Sequence, residues 1–199
     1  VERSRGLGDV YKRQPESLWP HGRRIAVAPA DAATALEPDL SGDLTLYLAL
    51  ILTLAPTDVL LGEKDYELLL AIHHAVQDFH LGVRVQGVPA VRMPDGVVMS
   101  LRNTHVPAES REQAAALSAA LTAGAHAAEA GAQKVREVAA EVLRAAGVEP
   151  EYLEVRGRDL GAPPVEGDAR LLVAATIGGV RLIDNVGLPL GIGFNNIDC

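Results

Sequence analysis

Asp58-Val59-Leu60-Leu61-Gly62-Glu63-Lys64-Asp65-Tyr66 decides the fold. Asp58–Leu61 is short and apolar and reads as a buried strand. It leads into Asp65–Phe79, where Leu68, Leu69, Ile72, Val76 and Phe79 recur at the helical period. Gly82 ends the predicted helix. Val83–Val88 reads as the next strand, and strand–helix–strand implies a parallel sheet. The strand-to-helix join also suggests chemistry. A helix N-terminus carries free N–H groups and partial positive charge, so anions settle there. Gly62 allows close backbone approach, Lys64 adds a full charge, and Asp65 either caps the helix or grips a ribose. A capped helix after a buried strand is the plainer reading of the same residues. Glu63 then orders the Lys64 loop rather than acting as a base.

A second run, Asp95-Gly96-Val97-Val98-Met99-Ser100-Leu101-Arg102-Asn103, offers the same ingredients: glycine, a small hydroxyl and a cation. Neither run fits a Walker or dinucleotide pattern, which need more glycines at other spacings.

Upstream, Arg23–Ala28 alternates like a short strand ended by Pro29, and Leu44–Leu54 is a helix or buried segment stopped by Pro56. After Asn103 the pattern changes. Glu109–Ala130 and Ala132–Ala146 are alanine-rich helices broken at Gly131 and closed by Gly147 and Pro150. Tyr152–Arg156, Leu171–Ile177 and Val180–Val186 read as strands. Gly178-Gly179 joins the last two as a two-residue hairpin. Gly157–Gly167, with Pro163-Pro164, is a surface loop. The expected organisation is a foreign or disordered segment over 1–14, an α/β half-domain over 15–104, which the resemblance given below implies is a truncated nucleotide-binding domain, and an α+β domain over 105–199. Val1–Gln14 is set apart because it lacks a starting methionine and a hydrophobic period, and holds four basic and two acidic residues in an otherwise acidic chain.

The chain is 48% hydrophobic but only 4% aromatic, so its core should be aliphatic. A net charge of −8 without a basic patch argues against nucleic acid as partner. The single cysteine, Cys199, forms no internal disulfide, which favours a cytoplasmic protein. The longest apolar run, Leu44–Ala55, is too short to span a bilayer. His73-His74 are adjacent on a helix and cannot make the i, i+4 metal pair. His21, His80 and His126 have no partner pattern, so no metal site is expected; His105 follows the second run, where a loop histidine is either solvated or touches a ligand. Asp184-Asn185 reads as a cap or turn of the last strand. Trp19 serves the core or a dimer contact.

The stretch from about Leu18 to Gly187 resembles the C-terminal part of the pantothenate synthetase (pantoate–β-alanine ligase) family. The matching blocks are Gly62–Tyr66 with Val88-Pro89-Ala90-Val91-Arg92, then Asp95–Asn103. Leu117–Leu121, Tyr152–Val155 and Arg181–Asn185 follow in the family's order. The resemblance implies a Rossmann-like, class I adenylate-forming half-domain. It implies ATP and Mg2+, with the metal ligands outside this chain, and pantoate and β-alanine as substrates. It further implies a homodimer in the full-length protein. The implied reaction joins pantoate to ATP as an acyl-adenylate, releasing pyrophosphate, and then transfers the acyl group to β-alanine, releasing AMP. By position, Lys64 matches the phosphate-binding lysine. Gly62 and Asp65 match the ribose contacts, the backbone near Val91 the adenine contact, and Met99, Ser100 and Arg102 the phosphate loop.

Three departures bear on activity. Leu68 stands where the family has a pantoate-binding glutamine, and Leu101 where it has a second serine. Leu36–Leu40 replaces an Arg-Pro-x-His-Phe run. A lost contact to a charged substrate costs about 1.5–3 kcal/mol, so this chain alone is expected to be inactive. The competing reading is a non-catalytic paralogue that keeps part of a nucleotide pocket and serves binding or dimerisation. A nucleotidyltransferase acting on another small acid is a third.

Overall fold

The structure, a computed structural model, describes residues 18–30 and 35–192. The segment 1–14 and Cys199 lie outside the described residues. Helix α1 (Leu40–Leu54) precedes strand β1 (Asp58–Gly62), a 3-10 turn (Glu63–Asp65), helix α2 (Tyr66–Asp78) and strand β2 (Arg84–Val88). β1 and β2 form the two-stranded parallel sheet that the sequence implies. After the loop come helix α3 (Arg111–His126), helix α4 (Ala132–Ala145) and strands β3 (Tyr152–Gly157), β4 (Gly167–Ile177) and β5 (Val180–Leu190). These strands form an antiparallel sheet in the order β3-β4-β5, which leaves β5 at an edge.

Contacts divide the chain into two compact units. Of the described residues, one unit holds those up to Val59 with Ala71–Val85; the other holds Leu60–Leu70 with those from Gln86 onward. In the first, α1 buries Leu40, Leu44, Leu48 and Ile51. Its chain reverses at Ala55, whose φ of 46° is left-handed, and Pro56 bars a further turn. Arg84 fastens to Asp58 with bonds of 2.8 and 3.1 Å, next to the Arg84 N–H bond to the Thr57 carbonyl.

Three expectations are corrected here. Arg23–Ala28 is not a strand. The Val27 N–H donates to the Thr45 hydroxyl at 2.8 Å, and its carbonyl accepts from Ser41 at 2.9 Å. Side chains of α1 thus occupy the groups a ladder would need. Phe79 is not on the buried face of α2; it is 55% exposed. The helix stops at Asp78 because His80, not Gly82, takes the left-handed turn at φ 53°, and the Leu81 N–H closes on the Val76 carbonyl.

In the second unit, α3 and α4 cover one face of the three-stranded sheet. The period of two sends Ala169, Leu171, Val173, Ala175 and Ile177 of β4, and Leu182, Leu188 and Leu190 of β5, into one aliphatic core with Leu117, Leu121, Val135, Ala139 and Leu143. Gly178 and Gly179 both have positive φ, 57° and 79°, as a primed hairpin turn requires. A Cβ on Gly178 would also sit 2.5 Å from Pro107.

Glu151 ties the start of β3 to this hairpin. It accepts from Thr176 at 2.7 Å and from Arg181 at 2.6 Å. The Thr176 hydroxyl first, and then Arg181, hold its carboxyl below the ordinary 4.5. A lowered folded-state pKa gives stability that is present above the unfolded value and lost as pH falls through the folded one. Glu151 is solvent-screened, so Glu151→Gln should cost under about 1 kcal/mol at pH 7. Melting curves of both proteins should converge on acidification below 4.5. A gap that stays constant from neutral pH to pH ~3 would remove the ion pair from the account.

Candidate functional site

Two adjacent polar residues in the middle of β5 organise the candidate site. Asp184 and Asn185 are 3% and 7% exposed inside an apolar strand. They neither cap nor turn it, contrary to the sequence reading, because β5 continues to Leu190. Buried polar groups need partners, and these two find theirs in the two runs singled out in the sequence.

Asn185 meets the first run. Its side-chain amide donates to the main-chain carbonyls of Glu63 at 3.0 Å and Lys64 at 2.8 Å. Its oxygen accepts from Arg170, whose guanidinium also reaches the Glu63 carboxylate at 3.4 Å. That guanidinium lies 3.7 Å from the centre of the Tyr66 ring, a cation–π contact, and the Tyr66 hydroxyl donates to the Arg158 carbonyl at 2.7 Å. Glu63 therefore orders the turn, as expected. Gly62 precedes the turn in extended conformation with no side-chain cap. The Asp65 carboxylate takes the Lys64 ammonium at 3.1 Å.

Asp184 holds the second run. Arg92 meets its carboxylate with two bonds, 2.7 and 3.0 Å, and also donates to Ser118 of α3 at 3.1 Å and to the Gly96 carbonyl at 3.2 Å. Residues 91–99 form a tight hairpin through the Arg92–Val98 bridge. The Met93 N–H donates to the Val97 carbonyl, and the Met99 N–H to that of Val91. Gly96 turns at φ 84°, and Asp95 accepts from the Val97 N–H at 3.1 Å. Beyond it, the Ser100 hydroxyl accepts from the Arg102 N–H at 3.2 Å, capping the 3-10 turn Leu101–His105, and Asn103 donates to the Val98 carbonyl at 2.8 Å.

Both runs open on one small cleft, about 20 Å³ in volume, lined among others by Lys64, Ser100, Arg102, Asn103 and Asp184. Of the residues expected at the site, the cleft brings together Lys64, Ser100 and Arg102. Gly62, Asp65, Val91 and Met99 are exposed and do not line it. An ammonium, a guanidinium and a hydroxyl are donors suited to phosphate oxygens; Arg102 brings a planar fork and Lys64 a movable point charge. Leu101 is 87% exposed beside them. Sequence reasoning missed Arg92, Arg170, Asp184 and Asn185. An Asp-Asn pair inside an apolar strand was the available signal, since such groups are rarely buried without a task. Among the described residues no three His, Cys, Asp or Glu side chains form a group able to hold a metal.

The family model for Pantoate-beta-alanine ligase matches residues 32–187. The chain belongs to this ligase family. The pantothenate synthetase of Corynebacterium jeikeium is 44% identical over 97% of the chain, and that of Nocardia farcinica 42% identical over 98%. The chain spans 65% and 64% of the length of these two relatives. The solved pantothenate synthetase of Thermus thermophilus aligns with a TM-score of 0.78 at 33% identity, over 86% of this chain and 66% of that one. A Francisella tularensis pantoate-beta-alanine ligase, complexed with beta-gamma ATP and beta-alanine, aligns with a TM-score of 0.66 at 25% identity, over 86% of this chain and 61% of that one. The Thermus thermophilus enzyme shares the fold described above over the aligned part.

Proposed function

We propose that this chain supplies the phosphate-binding part of an ATP-dependent ligase that condenses pantoate with β-alanine through a pantoyl-adenylate, with release of pyrophosphate and AMP. The observation that carries the reading is the convergence of Lys64, Ser100 and Arg102, from two distant segments, on one cleft. In this role Lys64 and Arg102 neutralise the triphosphate and hold the α-phosphorus for attack by a carboxylate. Such a site works by position and charge complementarity rather than by covalent chemistry. Gly62 and Asp65 serve the ribose, backbone at Val91 the adenine, and Met99 and Ser100 the phosphate loop. The working protein is a cytoplasmic homodimer that uses Mg2+ with ATP.

A second reading, a non-catalytic member that keeps a partial nucleotide pocket, is favoured by two positions. Leu101 presents a bare apolar side chain beside Ser100, and half-buried Leu68 offers no donor. Titration calorimetry with ATP separates a phosphate site from none. Lys64→Ala and Arg102→Ala should each weaken ATP binding about tenfold to a hundredfold, the worth of one charge-assisted contact. Unchanged affinity in both variants rejects the phosphate site. AMP release that requires both pantoate and β-alanine, and rises in the Leu68→Gln/Leu101→Ser double variant, supports the ligase. ATP binding with no acid-dependent AMP release supports the second reading.

A further inference from the structure

We infer that the dipeptide Asp184-Asn185 is a bracket that holds the two anion-binding runs in register: Asn185 is a positioning residue for Lys64, and Asp184, through Arg92, for Ser100 and Arg102. The inference rests on the phosphate-site reading above. Successive side chains of a strand leave from opposite faces. Asp184 pairs in register with Val173, whose side chain is in the core shared with the helices, and Asn185 pairs with Leu172 on the other face. One strand thus reaches both runs at consecutive positions. The edge position of β5 leaves room for both to lie along it.

The Asn185 contact is to main chain. Both bonds end on carbonyls, one of them that of Lys64 itself, so the amide fixes where the lysine side chain begins without touching its ammonium. Arg170 completes the hold from the Asn185 oxygen and the Glu63 carboxylate. On the other side, Arg92 spans Asp184, Ser118 and Gly96, and the bridge to Val98 lies just before Ser100 and Arg102. Asn185 lies outside the cleft, and Asp184, which lines it, has its carboxylate engaged by Arg92. A turn released from the bracket must be re-ordered when phosphate binds, and re-ordering one or two residues weakens affinity about tenfold.

Asn185→Asp removes both donors while keeping the size of the side chain and an acceptor for Arg170. It also adds a negative charge, and the comparison with Asn185→Ser, which adds none, separates the two effects. Two readouts are made on the 199-residue chain. In hydrogen exchange without ligand, the amides of residues 63–66 should exchange faster than in the parent. Asn185→Ser, whose shorter hydroxyl does not reach the two carbonyls, should likewise exchange faster than the parent, and it serves if Asn185→Asp does not fold. Parent-like exchange in the variant that folds overturns the bracket. In calorimetry with ATP as probe, Asn185→Asp should weaken binding about tenfold in the parent, and by nothing further in the Lys64→Ala background, because the amide acts through that lysine. Equal losses in both backgrounds overturn the positioning role while the phosphate site stands. No effect of Lys64→Ala on ATP affinity, or no ATP binding by the parent chain, overturns the phosphate reading and the positioning role with it. Fast exchange in Asn185→Asp would then mark a purely mechanical clamp.

Discussion

Replacing Arg92 by methionine is expected to destabilise the unit that carries the site by up to about 3–5 kcal/mol, because it leaves the buried Asp184 carboxylate without its partly exposed cation. Asp184 is 3% exposed, and Arg92 supplies both of its guanidinium bonds at 2.7 and 3.0 Å. The Asn185 N–H bond to the same carboxylate, 2.7 Å, survives the change but brings no charge. Ser118 and the Gly96 carbonyl lose the same partner. For a unit of this size the midpoint should fall on the order of 10–20 °C. The partner's response separates charge from lost contact area. Adding Asp184→Asn to Arg92→Met should recover part of the loss, because no buried charge is then left unpaired. Calorimetric melts of the two single variants and the double variant decide it. A loss below about 1 kcal/mol in Arg92→Met, or a double variant as unstable as the sum of the singles, would mean the pair is solvated in solution.

Leu171→Ala is expected to cost about 2–5 kcal/mol through the cavity it leaves. Leu171 is fully buried in β4 under α3 and α4. The helix above it is shaped to its methyl groups. Gly124 lies in α3, where a Cβ would come 2.7 Å from a Leu171 methyl, 3.1 Å from the Val135 carbonyl and 3.2 Å from Ala139. Gly124→Ala alone meets two opposing effects: a gain in helix propensity of about 1 kcal/mol and overpacking of about 1–3 kcal/mol. Overpacking wins because one of the close atoms is backbone, so the single variant should be destabilised. In the Leu171→Ala background the new methyl enters vacated space, and the double variant should be more stable than Leu171→Ala. Urea unfolding of the three variants tests this, and strict additivity would sink it.

The local signals in the sequence were the reliable ones. Gly178-Gly179 between two apolar runs could hardly be anything but a hairpin, and β4 and β5 pair across it residue by residue. The strand–helix–strand order of β1, α2 and β2 followed from a change of hydrophobic period. The segment 23–28 shows where that logic fails, because alternation states only that a strand is allowed. Hydroxyls of α1 took the backbone groups of Val27 instead. Lys64, Ser100 and Arg102 were visible through their motifs. Arg92 was not, because its role depends on a carboxylate 92 residues away in sequence that no local pattern connects to it. Asp184-Asn185 were misread for the same reason. A turn explains such a pair locally, and only the continuing strand shows that their partners are distant.

The separation between Asn185 and Glu63 is 122 residues. A ribosome adds about 5–20 residues per second, so the Glu63–Lys64 turn leaves it roughly 6–24 s before the amide that holds it has been made. During that interval the hairpin that will carry Asn185 does not exist, and the nascent lysine has no fixed origin. The cleft lined by Lys64, Ser100 and Arg102 therefore takes its final form only once β5 has been made. A ligand added during synthesis should meet a competent site only after β5 has emerged.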